Sequence, residues 1–337
     1  MTICYVGMRG GVLVAHGPGD DSPAAHRKFD GYDVECLESA DAAPACAFCG
    51  TFNTGLHRTD DAGETWHRVG KDTLPKSVTS VAVSPHDAEV VYAGTEPSAV
   101  FRSDDAGETW TKLNGLTDLS SASSWSFPPR PHTHHVRWIE PDPHDPDHLY
   151  VSIEAGALIQ THDGGETWSD RVPSARRDTH SMATHTDAPD HAWAAAGDGY
   201  AETSDGGETW TYPQKGLNHQ YCWSVAVDAA DPSRILVSAA QSARVAHNVD
   251  HAESYLYRRT GDETWEQLGS GIPTGSGIVR AVLDRGRRGG EFYAVTNRGL
   301  YRTGDGGDSF ERVGIDWPDA FERQVPSGLV VVPSSAP

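Results

Sequence analysis

Short apolar runs recur along the chain, each bounded by Gly, Pro, Asn or Asp. Runs of this length with turn residues at both ends predict β-strands, not helices. The clearest set is Val78-Thr-Ser-Val-Ala-Val-Ser84, Glu89-Val-Val-Tyr-Ala-Gly94, Ala99-Val-Phe-Arg102 and Trp110-Thr-Lys-Leu113. It predicts a four-stranded antiparallel sheet, with the first run as its inner strand. Related inner strands are expected to begin at Val136, Thr179, Cys222 and Val279. The segments Ser84-Pro-His-Asp87, Asp142-Pro-His-Asp-Pro146 and Asp228-Ala-Ala-Asp-Pro232 have the composition of the turns that would follow them.

The sheets are punctuated by one recurring motif. It reads Thr59-Asp-Asp-Ala-Gly-Glu-Thr-Trp66, Ser103-Asp-Asp-Ala-Gly-Glu-Thr-Trp110, Thr161-His-Asp-Gly-Gly-Glu-Thr-Trp168 and Thr203-Ser-Asp-Gly-Gly-Glu-Thr-Trp210. A shortened copy is Thr260-Gly-Asp-Glu-Thr-Trp265, and the last is Thr303-Gly-Asp-Gly-Gly-Asp-Ser-Phe310. The closing aromatics are 44, 58, 42, 55 and 45 residues apart, a spacing that suits four-stranded propeller blades with occasional insertions. In a hairpin turn the Asp accepts backbone N–H bonds, the Gly supplies positive φ and the Trp packs between blades. Asp61, Asp105, Asp163, Asp205 and Asp305 are therefore read as structural, not as catalytic acids.

On these copies the chain resembles the Asp-box (BNR) repeat proteins. The expected fold is all-β: a seven-bladed β-propeller with four-stranded antiparallel blades, forming a single domain over residues 1–337. Six blades carry a copy of the motif. The seventh is assembled from both ends: Ile3-Cys-Tyr-Val-Gly7 and Val12-Leu-Val-Ala15 supply second and third strands, and Gly328-Leu-Val-Val-Val-Pro333 the inner one. That blade is shared between about residues 1–34 and 326–337. Its C-terminal strand closes the ring and removes exposed sheet edges.

Charge narrows the partners. Forty-eight acids face 27 bases, for a net charge of −21, and Asp outnumbers Glu 31 to 17 while only five bases are Lys. Such a surface repels phosphate backbones and anionic lipid, so neither nucleic acid nor membrane is an expected partner. It resembles the acidic surfaces of halophile proteins. No apolar run is long enough to span a bilayer as a helix, and Met1-Thr-Ile-Cys-Tyr-Val6 lacks the pattern of a secretory signal. Five cysteines, an odd number, fit a reducing, cytoplasmic setting. Cys46 and Cys49 would point to opposite faces of a strand, which argues against a shared metal.

The resemblance places the Asp turns on one face and the ligand on the other, around the central channel. Aligning the blades makes Thr79 equivalent to Arg137, His180, Trp223 and Arg280, to Glu35 in the first boxed blade and to Ser327 in the closing one. Two Arg, a His, a Trp and a Glu converging on one axis are unusual for a core, and desolvated Arg calls for an anionic partner. Arg137, His180, Trp223, Arg280, Tyr221 and His135 are the candidate ligand-binding residues. Glu35, Glu96, Glu154 and Asp198 are the candidate catalytic carboxylates, in the manner of paired acids in glycoside cleavage. His132, His134 and His180, with Glu154, are candidate ligands for a divalent metal. Residues 241–254 form an insertion expected to lie over the opening.

The resembling family includes sialidases, xyloglucan-active glycosidases, sortilin-type receptors and a photosystem assembly factor. No Arg-Ile-Pro is present and Tyr255 and Tyr257 lack a clear partner, so sialidase chemistry is disfavoured. The xyloglucan enzymes resemble two tandem propellers, and this chain has length for one. A glycosyl-hydrolase-like protein with a polar, anionic or carbohydrate ligand remains, beside a non-catalytic scaffold for a partner protein.

Overall fold

A computed structural model describes residues 2–17 and 24–333; the outermost parts of the expected closing segments, Met1 and 334–337, lie outside them. Seven antiparallel sheets surround one channel. Numbered from the first blade carrying the Asp turn, the inner strands are Val34–Ser39 in blade 1, Val78–Val83 in blade 2 and Val136–Pro141 in blade 3. They are Thr179–Thr184 in blade 4, Tyr221–Val227 in blade 5 and Val282–Arg285 in blade 6. The closing blade 7 has the order Pro326–Pro333, Thr2–Met8, Gly11–His16, Ala24–Lys28 from the channel outwards.

The first and last of these strands pair from Thr2 with Pro333 to Met8 with Pro326. Alternating faces of blade 7 fill the cores on both sides. Tyr5, Val14 and Val330 pack towards blade 1, and Val6, Leu13 and Val331 towards blade 6. The fourth strand of this blade, Ala24–Lys28, is largely exposed and polar, which is why no apolar run announces it. Blades 3 and 4 have only an isolated bridge where a fourth strand would run, Gln160 with Ser169 and Glu202 with Thr211.

The recurring turn has the same geometry in its five full copies. In the first, Thr59 Oγ1 donates to Asp61 Oδ1 at 2.7 Å, Thr65 N to Oδ1 at 2.8 Å and Thr65 Oγ1 to Oδ2 at 2.6 Å. Those donors stabilise the charged form and hold Asp61 at about 2. Gly63 sits at φ 90°, and a Cβ there would meet the Val14 methyls of the preceding blade at 2.9 Å. Trp66 meets Tyr5 of that same blade edge-on, as Trp210 meets Tyr150 and Trp265 meets Tyr200. The turn thus staples each blade to its neighbour.

Blade 6 departs from the expected pattern. Its inner ladder starts at Val282 rather than Val279, because Val279 N donates to the Asn297 side chain and Arg280 N to the Ala246 carbonyl of the insertion. The insertion takes over the backbone bonds that a strand would use. No helix among the described residues is long and apolar enough to cross a membrane.

Candidate ligand-binding site

The inner strands share one irregularity. In blade 1 Val34 pairs with Thr51 and Cys36 with Gly50, so Glu35 faces no partner. The same skip leaves out Thr79, Arg137, His180 and Trp223 in blades 2 to 5. In blade 7 Gly7 pairs with Gly328 and Met8 with Pro326, leaving out Ser327. A β-bulge frees one residue from the ladder and re-aims its side chain. Here bulges at one height in six blades, with Arg280 from the irregular start of blade 6, aim the register-equivalent residues at the channel mouth.

They meet in a cavity of about 460 Å³ lined by Glu35, Thr79, Arg137, Trp223, Arg280 and Ser327. His180 lies beside it, its ring 4.4 Å from that of Trp223 and 5.1 Å from Tyr221. Trp223 is the platform: the Arg280 guanidinium carbon stands 3.5 Å from the ring centroid and that of Arg137 at 4.7 Å. Arg280 is only 2% exposed. Its Nη1 donates to the Pro326 carbonyl at 2.7 Å and its Nε to His247 Nδ1 at 3.2 Å. Among the described residues no carboxylate bonds to it. Burial, then the charge of Arg137, push it well below the usual arginine range. Arg137 is buried too; its Nε has no hydrogen-bond partner and lies 3.8 Å from Glu154.

The carboxylates are arranged behind this cationic pair. Glu154 Oε2 accepts from His135 Nε2 at 3.0 Å. Burial opposes its charge, yet the bond and charge of His135 foremost, with Arg137 behind it, hold Glu154 below the ordinary range. Glu96 is gripped by two nitrogens of one guanidinium, Arg130 Nε at 3.0 Å and Nη2 at 2.5 Å. Burial works against ionisation there as well, but bonds from His135 and Arg130 win and set it at about 2. His135, between the two, is pushed up despite its burial by Glu154 and Glu96. Glu35 pairs with Arg9. Asp198 falls outside the cavity, half exposed and 3.9 Å from Arg176, in a separate shallow cleft.

The insertion covers the opening as expected. Its helix, Ala243–His247, lines the cavity with Ala243, Arg244 and His247. His247 Nε2 shares a hydrogen bond with Tyr221 Oη at 2.9 Å. Burial, then Arg280, push His247 down to about 2, so it stays neutral against the guanidinium. The predicted metal trio is not assembled: His132 is exposed and His134 packs edge-on against Trp125, 5.5 Å between rings. Sequence reasoning missed Asp178, Arg130 and Arg244, all of which line the cavity. Asp178 and Arg130 sit in loops before the strands and Arg244 in the short helix of the insertion, where strand periodicity says nothing.

At the other end of the channel a cavity of about 310 Å³ is lined by Glu38, Glu140 and Asp284 among apolar residues. Burial pushes Glu38 up to about 8 and Asp284 to about 7, and raises Glu140.

The fold is shared with solved structures. A GH74 enzyme from Niastella koreensis aligns with a TM-score of 0.66 at 18% identity, over 91% of this chain and 53% of that one. The GH74 xyloglucanase from Xanthomonas campestris gives 0.61 at 16% identity, over 96% and 52%. YCF48 bound to a D1 peptide gives 0.58 at 15% identity, over 83% and 81%. The chain spans about half the length of these GH74 enzymes. At these identities the likeness is one of fold: a seven-bladed β-propeller. No protein-family model matches the sequence, and no curated protein matches it.

Proposed function

We propose that the chain is an Asp-box repeat propeller that binds a small polar anion of the sugar-acid or carbohydrate class at the bulged channel mouth. The observation that carries this is the Arg137–Trp223–Arg280 stack: two buried guanidiniums on one indole, neither with a bidentate carboxylate. Burying two such charges with only Glu154, 3.8 Å from Arg137, as a nearby counter-charge is costly, and a bound anion supplies a second. The indole offers a face on which a sugar ring can stack. Tyr221, His135 and His180 complete the wall.

Glycosyl-hydrolase-like chemistry is the further step in this reading, with Glu35 and Glu154 at the cavity as its carboxylates. Glu96 and Glu154 are held ionised, which suits anchoring or base roles and not proton donation. The fold shared with GH74 enzymes supports the carbohydrate class; the fold shared with peptide-bound YCF48 supports a scaffold using the exposed rim at Pro128 and Pro129. The covering insertion favours the small ligand.

Titration calorimetry in molar KCl with uronic acids and matched neutral glycosides tests the reading. Uronates should bind and neutral sugars bind at least about tenfold more weakly, a difference of ~1.4 kcal/mol. Arg137→Ala should abolish uronate binding while the protein still melts cooperatively. Equal binding of acid and neutral sugars, or none of either, would sink the proposal.

A further inference from the structure

We infer that Glu154, Asp178 and His180 form a site for one divalent cation of the Mn²⁺/Zn²⁺ class. The inference rests on the cavity proposed above, but not on the identity of the anion bound there.

His180 anchors the site. Its Nδ1 lies 2.7 Å from the Cys222 carbonyl oxygen. A carbonyl only accepts, so Nδ1 carries the hydrogen and a neutral ring presents a bare lone pair at Nε2. That nitrogen is buried in a residue 1% exposed and has no hydrogen-bond partner. It faces Asp178 Oδ2 at 3.5 Å, beyond hydrogen-bond length. A bare lone pair there faces an anionic oxygen away from water, and a proton there would be a buried donor with no acceptor in reach; a metal cation between the two satisfies both.

One donor atom from each of Glu154, Asp178 and His180 lies within 4.8 Å of the others. Around an ion with bonds of about 2.0–2.2 Å, neighbouring ligand atoms stand roughly 3–3.6 Å apart; the His180–Asp178 pair already has that spacing, and Glu154 closes the set by a side-chain adjustment. Each ligand is already oriented by a second bond, the arrangement that holds metal ligands in place. The Cys222 carbonyl fixes His180, Ala155 N donates to Asp178 Oδ1 at 2.7 Å, and His135 holds Glu154 Oε2. Residue 197 leaves the space: a Cβ on Gly197 would stand 2.1 Å from Asp178 Oδ2 and 3.1 Å from His180 Cε1. One imidazole with two carboxylates suits borderline cations better than Ca²⁺ or Mg²⁺, which take oxygen donors.

The test uses full-length protein without a His-tag, stripped with a chelator and titrated in molar KCl with MnCl₂ and ZnCl₂, so that the acidic surface is screened. One equivalent should bind. Asp178→Asn, whose amide oxygen can still accept from Ala155, should weaken binding at least tenfold, and so should Gly197→Ala, which displaces that carboxylate without removing a ligand. His134→Ala should change nothing. Circular dichroism and melting curves establish that each variant is folded, and Asp178→Asn carries the test if Gly197→Ala is not. Absence of stoichiometric uptake, undiminished uptake in Asp178→Asn, or its loss in His134→Ala would each overturn the site. Uronate binding by the stripped protein that takes up no metal would refute this inference alone; metal uptake without uronate binding would refute only the proposed function.

Discussion

At the level of single residues, the chain separates its acids into two kinds by what surrounds them. Asp61 and its four equivalents are surface carboxylates wrapped by donors from their own turn. Asp61→Ala removes those acceptors and frees the hairpin that presses on Tyr5 and Val14. The melting temperature should fall by roughly a few degrees while ligand affinity is unchanged, since the turn and the cavity lie on opposite faces. Calorimetric melting beside ligand titration checks both halves. The pocket residues were legible for a different reason. The repeat fixed the register, and the register made Arg137, His180, Trp223 and Arg280 equivalent. What the register could not show is that the shared position is a bulge, because a bulge is created by which partner residues pair across the ladder. Asp178 was illegible for the same kind of reason: it flanks a strand and becomes a pocket residue only once its chain turns under Ala155.

The elements carry their own lesson. Apolar runs revealed strands that bury both faces, such as Leu149–Ile153 and Ala192–Ala196, whose residues are all buried. The polar outer strand Ala24–Lys28 was invisible to that signal, as was the shortened inner strand of blade 6, whose backbone bonds go to the insertion. Two elements should repay deletion. Truncation before Pro326 removes the strand that pairs with Thr2–Met8 and should cause cooperative loss of the whole fold, seen as collapse of the melting transition. Replacing residues 243–247 with a short Gly-Ser linker should instead leave a folded ring. It removes His247 and the Ala246 carbonyl from Arg280, so uronate affinity should drop at least about tenfold (~1.4 kcal/mol) with only a modest change in melting temperature.

For the molecule as a whole, charge and pH act on the ring as a unit. With a net charge of −21, self-repulsion in dilute buffer is strong and is screened by salt. We propose a salt-adapted protein, whose melting temperature should rise substantially between dilute buffer and molar KCl; an unchanged value would count against it. Acidity should act in a defined window. Glu38 and Asp284 are pushed up to about 8 and about 7 in the folded chain, so between about pH 4.5 and 8 the native state binds more protons than the unfolded one. Their contribution is present below the unfolded values and is lost as pH rises through the folded ones. His135, also raised, works in the same direction. Below about pH 6.5 the neutral, buried His247 works in the opposite sense, because the unfolded imidazole takes up a proton that the folded one refuses. Stability in molar KCl should therefore decline from about pH 6.5 towards about pH 8, and Glu38→Gln should flatten the decline. A final consequence follows from the pairing of Thr2–Met8 with Pro326–Pro333. During synthesis Thr2–Met8 emerges long before its partner, so six blades must wait, open at one edge, for the closing strand to arrive. Contacts so distant in sequence fold slowly, and the waiting ring is the species most exposed to chaperones, proteases and pairing with another copy.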